Sequence, residues 1–107
     1  MATLSNSVRK AEATLTAENT FTDWVRLNGQ PWCVGVSGTF SATVTVQLCP
    51  PGGSVDTAAD IHASSTLTAA GALVGSPLGG GWYARVGIKT GGFTSGTAVV
   101  GIYKTTD

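Results

Sequence analysis

Charged residues are scarce in this chain. Only 11% of its 107 residues are charged, whereas soluble domains typically have about 25%. Six basic and six acidic residues cancel to a formal net charge of zero, so the sequence offers neither a basic surface for nucleic acid nor an acidic tail for a basic partner. A surface with few charges also provides little electrostatic repulsion against association with other chains. Two interpretations fit equally well: another chain covers part of the surface, or threonine and serine alone keep a small β domain in solution.

Long apolar runs are also missing. No segment approaches the roughly 20 apolar residues of a membrane-spanning helix, so we expect no contact with a membrane. Arg9 and Lys10 lie near the N-terminus, but no apolar run follows them as it would in a secretory signal. We therefore expect synthesis in a cytoplasm.

Residues that carry chemistry are few and scattered. Cys33 and Cys49 have no zinc-site spacing, and cytoplasmic synthesis favours free thiols, although a disulfide between them is possible. The single histidine, His62, has no nucleophile or orienting carboxylate at a recognisable spacing. No two carboxylates are placed to face each other across a cleft, and the glycine-rich segments lack the strand–loop–helix order of a phosphate site. The sequence predicts no enzyme, no cofactor and no bound metal.

The segment VSGTFSATVTVQL, residues 36–48, gives the clearest structural signal. Apolar and polar residues alternate with a period of two, which predicts a strand with one buried and one solvent-facing side. The preceding segment PWCV predicts a partner strand in a hairpin. A three-residue loop at 37–39 would place Val34 opposite Ala42, and it would place Trp32 opposite Val44, so that apolar residues meet on one face.

The remaining pattern predicts an all-β chain. Strands are expected near 12–17, 20–28 and 82–89, with a loop at 91–96 and a last strand at 97–105 that runs antiparallel to the one before it. Residues 55–69 are expected to be extended. Seven or eight short strands without a helix indicate an antiparallel β-sandwich or jelly roll, formed by a single domain at 12–107 after an extended N-terminal arm at 1–11. The expected large core residues are Trp24, Trp32, Phe40, Trp82 and Ile88.

Two segments carry a resemblance to a known group of proteins. VSGTFSATVTVQL…GGS and, at 82–104, WYARVGIKTGGFTSGTAVVGIYK resemble small virion proteins of tailed bacteriophages over about residues 20–104. Those proteins combine an SGT-x-S/G-x-T-V-T-hydrophobe-Q hairpin with a later Y-x-R-hydrophobe-G-hydrophobe-K-T-G-x-hydrophobe-T-S-G-T-A segment. This chain has QLCPPGGS where the group has a charged Q-R-S-x-D-G-G run, so no role tied to that loop is carried over.

The resemblance implies a structural role in the phage particle. It implies a β-sandwich decoration (cement) protein on the outer surface of the virion capsid, made in the host cytoplasm, that stabilises the head by bridging neighbouring major capsid protein subunits. A homodimer or homotrimer is expected, with the N-terminal segment as a reaching arm. A phage tail or fibre adaptor and a carbohydrate-binding module are the alternatives. Aromatic and cationic residues dominate interface energies, so the expected partner-binding residues are Arg9, Lys10, Trp24, Tyr83, Arg85, Phe93 and Tyr103.

Overall fold

A computed structural model describes residues 10–27, 29–75 and 81–104. Within these residues the chain forms nine β-strands and a single turn of 3₁₀ helix at Ala58–Asp60. The strands are β1 (Lys10–Leu15), β2 (Thr20–Phe21), β3 (Val25–Arg26), β4 (Trp32–Ser37), β5 (Phe40–Cys49), β6 (His62–Leu67), β7 (Gly71–Gly75), β8 (Tyr83–Gly96) and β9 (Ala98–Lys104).

The strands form two antiparallel sheets that pack face to face. Sheet A has the order β1-β9-β4-β7, and sheet B has the order β2-β8-β5-β6, with β3 also paired to β8. This confirms the predicted all-β sandwich. Residues 1–9 of the expected N-terminal arm lie outside the described residues, while residues 10 and 11 belong to β1.

The predicted hairpin of β4 and β5 is wrong. Strand β4 lies in sheet A between β9 and β7, whereas β5 lies in sheet B between β8 and β6. Each strand does have the predicted apolar face, since Val34 and Val44 are both buried in one core. These faces meet across the sandwich and not side by side in one sheet. The predicted pairing of the last strand with the one before it is wrong for the same reason: β9 lies in sheet A and β8 in sheet B.

The paired segments β4–β5 and β8–β9 form one long antiparallel ribbon that bends from sheet A into sheet B. Trp32 pairs with Lys104 at one end, and the register continues without a skipped residue through Ser37↔Val99 and on to Ser41↔Ser95. The bend lies at two Ser-Gly-Thr segments, 37–39 and 95–97, which pack against each other.

Strand β8 is longer than predicted, because it includes the segment 91–96 that was expected to be a loop. Its pairing with β5 shifts near Ala42, which lies opposite Phe93, while Val44 lies opposite Ile88. Residues 89–92 therefore form a bulge opposite the single residue Thr43. Because of this bulge, β8 continues as one strand through residues 91–96, up to the second Ser-Gly-Thr segment.

The main core fills the space between the sheets. Trp32 and Ile88 are buried in it, as predicted, and Phe40 and Trp82 pack against it while partly buried. Trp24 is buried elsewhere, in a small second core with Cys49 and Val55. Leu48 and Ala84 of β5 and β8 face the main core. Side chains alternate along a strand, so the neighbouring Cys49 places this second core on the outer face of sheet B.

Candidate functional site: a cationic cleft on the outer face of sheet B

The outer face of sheet B is only partly open to solvent. The alternation in β5 predicted that Ser41, Thr43, Thr45 and Gln47 all face water. Ser41 and Thr43 are exposed, but Thr45 is only 3% exposed and Gln47 only 8%. The second core covers this half of the face, with Ile61 and Tyr83 packed against it. A buried amide in such a place needs a hydrogen-bond partner.

Arg85 is that partner. It lies directly opposite Gln47 in the β5–β8 ladder and donates a hydrogen bond from Nε to the Gln47 Oε1 over 2.8 Å. Its Cζ lies 3.9 Å from the ring centroid of Phe21 and 4.7 Å from that of Trp24, which are cation–π distances. Burial lowers the pKa of Arg85, and the guanidinium is held in place by an amide and two aromatic rings.

A cleft of about 370 Å³ opens beside this guanidinium. It lies between the outer face of β8, the β2 segment and the chain around the 3₁₀ turn. Its described lining contains two cations and no carboxylate. The lining residues are Asn19, Phe21, Gln47, Ala58, Ile61, Ala63, Arg85, Lys89 and Thr90.

Nearby carboxylates are engaged elsewhere. Glu18 accepts a hydrogen bond from the backbone N–H of Gly91 over 2.9 Å, and Asp60 accepts one from the backbone N–H of Ser54 over 3.0 Å. Each adjoins a lining residue in sequence, yet neither lines the cleft. The electrostatic character of the cleft is therefore cationic, although the whole chain has no net charge.

The outer face of sheet A carries a different cluster, formed by Tyr103, Glu12 and Lys10. The Tyr103 ring lies over Gly101, where a Cβ would collide with it. Its hydroxyl donates to the Glu12 Oε2 over 2.9 Å, and the Lys10 Nζ lies 3.6 Å from the Glu12 Oε1. The hydrogen bond to Glu12 raises the pKa of Tyr103, and burial together with the negative charge of Glu12 adds to this shift.

The structure divides the predicted partner-binding residues between two faces. Trp24, Tyr83 and Arg85 lie together at sheet B, and Lys10 and Tyr103 lie together at sheet A. Arg85 and Tyr103 lie on opposite outer faces, while Lys10 is exposed and paired with Glu12. Trp24 is only 2% exposed, so the expectation that it offers a contact surface is wrong: its ring fills the second core.

The two other predicted aromatic residues are partly buried. Phe93 is partly buried against the main core. Tyr83 is partly buried against the second core, with the Arg26 Cζ 5.9 Å from its ring centroid. Arg9 lies outside the described residues.

Sequence reasoning missed Gln47, Phe21 and Lys89 as members of one site. Gln47 and Arg85 are long polar residues at outward positions of their strands, which was visible in the sequence. The register between β5 and β8 places these two residues opposite each other, and this register depends on the bulge at 89–92.

The two cysteines lie on opposite outer faces. Cys33 is exposed on β4 of sheet A, while Cys49 is buried in the second core on sheet B, and both are free. Since both sheets separate them, they cannot form a disulfide within one chain. Burial raises the pKa of the Cys49 thiol, and the nearby charge of Asp60 adds to this.

The described residues contain neither a cluster of metal ligands nor a membrane-spanning helix. Across 10–27, 29–75 and 81–104 there is no group of three or more His, Cys, Asp or Glu side chains that could hold a metal ion. The same part of the chain contains no helix that is long and apolar enough to span a membrane.

The strands β6 and β7 contain no charged residue. Strands β6 and β7 are edge strands of sheets B and A, respectively, and every residue of β6 except Leu67 is exposed. No Asp, Glu, Lys or Arg occurs between Asp60 and Arg85. Natural proteins usually protect an exposed sheet edge with charges, proline or bulges. β6 has one irregularity of this kind, at Ser64, where the pairing with β5 shifts, but it has no charged residue and no proline. Within the described residues no strand pairs with its outer side.

Comparison with known proteins shows similarity in fold to a solved structure. No protein-family model matches the sequence, and no curated protein matches it either. Among solved structures, the chain is similar to PliG of Aeromonas hydrophila, a periplasmic lysozyme inhibitor of g-type lysozyme. The TM-score is 0.53 at 14% identity, over 94% of this chain and 90% of the inhibitor. At this identity the likeness supports the β-sandwich fold alone.

Proposed function

We propose that this chain is a structural protein of a tailed-bacteriophage virion, which decorates the outer surface of the capsid and bridges neighbouring major capsid protein subunits. The sequence resemblance at 36–48 and 82–104 suggests this class. The observation that carries the proposal is the uncharged β6–β7 edge, because it suits a protein whose edge is covered in an assembly.

The β6 edge favours a partner that adds a strand. Its exposed residues are small or polar, and they present backbone N–H and C=O groups to solvent along His62–Leu67. An extended segment of a neighbouring chain can pair with such an edge through backbone hydrogen bonds. β1, which is an edge strand of sheet A, instead carries the charged residues Lys10 and Glu12. The two edges therefore differ in the kind of contact that they permit.

Repetition on a lattice would strengthen a modest contact. A single added strand buries little surface, but an oligomer that engages several subunits gains from effective concentration. This accounts for how a small β protein of zero net charge could attach firmly without a large interface. The likeness to the lysozyme inhibitor carries no activity to this chain.

Binding to capsids that lack the protein tests the proposal. The S64K/T66K double variant places two lysines on the β6 edge, and T14K/T16K adds the same charge at exposed positions at the end of β1. We expect co-sedimentation of the wild type and of T14K/T16K with capsids, and at least a roughly ten-fold weaker affinity for S64K/T66K. Equal binding by both variants would exclude the edge as the contact.

Copy number separates the proposal from its alternatives. In purified particles that contain the chain, gel densitometry against the major capsid protein should give a ratio that scales with the number of capsid subunits. A small fixed number per particle would instead assign the chain to the tail or a fibre. Binding to a glycan array, with no binding to capsids, would favour a carbohydrate-binding module.

A further inference from the structure

The guanidinium of Arg85 is held on one side and open on the other. Its Nε is committed to Gln47, and its plane contacts the rings of Phe21 and Trp24. Among the described residues it has no other hydrogen-bond partner and no ion pair. The two terminal nitrogens are therefore available to an acceptor in the cleft. An arginine fixed in this way loses little further side-chain freedom when it binds a ligand.

Among the described residues, the two cations that line this cleft form no ion pair. Lys89 is exposed at the cleft and has no partner among the described residues. Glu18 and Asp60 keep their charge, but their carboxylates accept hydrogen bonds from the backbone N–H groups of Gly91 and Ser54 and form no ion pair with either cation. A half-buried arginine without a carboxylate leaves a positive potential that attracts an anion.

The walls of the cleft indicate more than a bare anion. Phe21 and Ile61 give it two large apolar surfaces, and Ala58 and Ala63 add smaller ones. Its volume of about 370 Å³ falls in the range of small-molecule sites, roughly 300–1,000 Å³. Apolar walls with a few fixed polar groups are typical of such sites.

We propose that this cleft binds a small organic carboxylate whose apolar portion packs against Phe21 and Ile61. The fork of Arg85 matches the two oxygens of a carboxylate. Lys89 contributes a second positive charge, while the amide of Gln47 fixes the arginine. A single arginine and one exposed lysine give fewer donors than the backbone nests or helix ends that usually hold phosphate. The cleft touches β6 only at Ala63 and takes a small molecule rather than a strand, so this proposal does not rest on the virion role.

Titration followed by ¹⁵N NMR tests the site with defined probes. The probes are 3-phenylpropionate, its neutral amide 3-phenylpropionamide, and inorganic phosphate. We expect 3-phenylpropionate to shift the Arg85 Nε–H and the Gln47 side-chain amide saturably, and the neutral amide to bind at least about ten-fold more weakly. Equal affinity for the acid and its amide would overturn the proposal, as would tighter binding of phosphate or the lack of any saturable shift.

Variants locate the binding in the cleft. R85K keeps the charge and loses the fork, so affinity for 3-phenylpropionate should fall by roughly ten-fold or more. K89Q removes one exposed charge and should weaken binding by about two- to five-fold. K10Q makes the same change on sheet A and should leave affinity unchanged. Because Lys89 is exposed, K89Q keeps the test valid if R85K fails to fold; unchanged affinity in K89Q, or a loss in K10Q as large as in K89Q, would contradict the assignment.

Discussion

The backbone N–H of Thr97 donates a hydrogen bond to the carbonyl oxygen of Thr39 over 2.9 Å. This bond joins the two Ser-Gly-Thr bends at the point where the β4–β5 and β8–β9 ribbon passes from one sheet to the other. Gly38 and Gly96 have φ values of +98° and +92°, and a Cβ on either would collide with the carbonyl oxygen of the opposite threonine. The repeated tripeptide thus makes a single structural feature, in which each bend leaves room for the other.

Replacement of Gly38 by alanine should destabilise the fold strongly. The new Cβ would add left-handed backbone strain to a collision with the backbone of Thr97, and we expect the free energy of unfolding to fall by about 3 kcal/mol or more. Urea denaturation followed by tryptophan fluorescence measures this.

Gly52 provides the matched control for that experiment. Its φ is +85°, but no heavy atom lies within 4 Å of a Cβ built there. G52A should therefore cost only the conformational strain, about 1 kcal/mol. Similar losses in G38A and G52A would show that the close contact between the two bends adds nothing to stability.

The Gln47–Arg85 pair should be coupled in a double-mutant cycle. Q47L leaves the Arg85 Nε without its acceptor in a partly buried place, so we expect a loss of about 1–2 kcal/mol. R85M should cost less in the Q47L background than in the wild type, with a coupling energy of about 1 kcal/mol. Chemical denaturation of the four proteins gives this value. Strict additivity of the two changes would mean that the hydrogen bond does not contribute in solution.

Stability should fall in alkaline solution as Tyr103 ionises. Its pKa is raised in the folded chain, first by the hydrogen bond to Glu12, whereas an unfolded tyrosine titrates near about 10. The stabilisation is complete below that pH. Above it the unfolded chain releases the proton first, so the free energy of unfolding decreases as pH rises toward the folded pKa.

The E12A variant isolates this effect. Without the carboxylate, the pKa of Tyr103 should move down toward its ordinary value, and the alkaline loss of stability should become shallower. ¹³C NMR of labelled tyrosine resolves Tyr103 from Tyr83, and urea titrations between about pH 9 and 11 cover the relevant window. An unchanged Tyr103 titration in E12A would contradict the hydrogen bond as its main cause.

The two thiols should differ sharply in reactivity. Cys33 is exposed, whereas Cys49 is buried with a raised pKa. Because the thiolate is the reactive form, a disulfide reagent at pH 8 should modify Cys33 at least about 100-fold faster than Cys49. C33S should remove the fast phase, and denaturant should restore the reaction of Cys49. Two fast phases in the native protein would mean that the second core opens readily.

The alternation of single strands could be predicted from the sequence, but their pairing could not. Val34 and Val44 were correctly expected to be buried, but they were expected side by side on one face of a single sheet and not across the sandwich. Matching of apolar faces is satisfied equally by neighbours within a sheet and by strands that face each other across a sandwich. The Ser-Gly-Thr segments do not distinguish the two arrangements, since a tripeptide that turns a hairpin can also carry a chain from one sheet to the other.

The site was beyond prediction because its residues come together through long-range register. Gln47 and Arg85 are separated by 38 positions, and a bulge at 89–92 sets which β8 residue faces β5. Trp24 was expected both in the core and at a partner contact, because a strand with large residues on both sides is ambiguous when no cover for its outer face is known. That cover includes Val55 and Ile61, which come from a segment with weak periodicity.

The position of β9 has a consequence for biosynthesis. This strand is the latest described element in the chain, yet it lies between β1 and β4 in sheet A. Nascent β1 and β4 therefore have no neighbour to join them until Ala98–Lys104 has been translated. β4 can pair with β7 before then, but sheet A is completed only when β9 joins β1 to β4, and ribosome-bound chains that stop short of β9 should expose part of the apolar interior to chaperones.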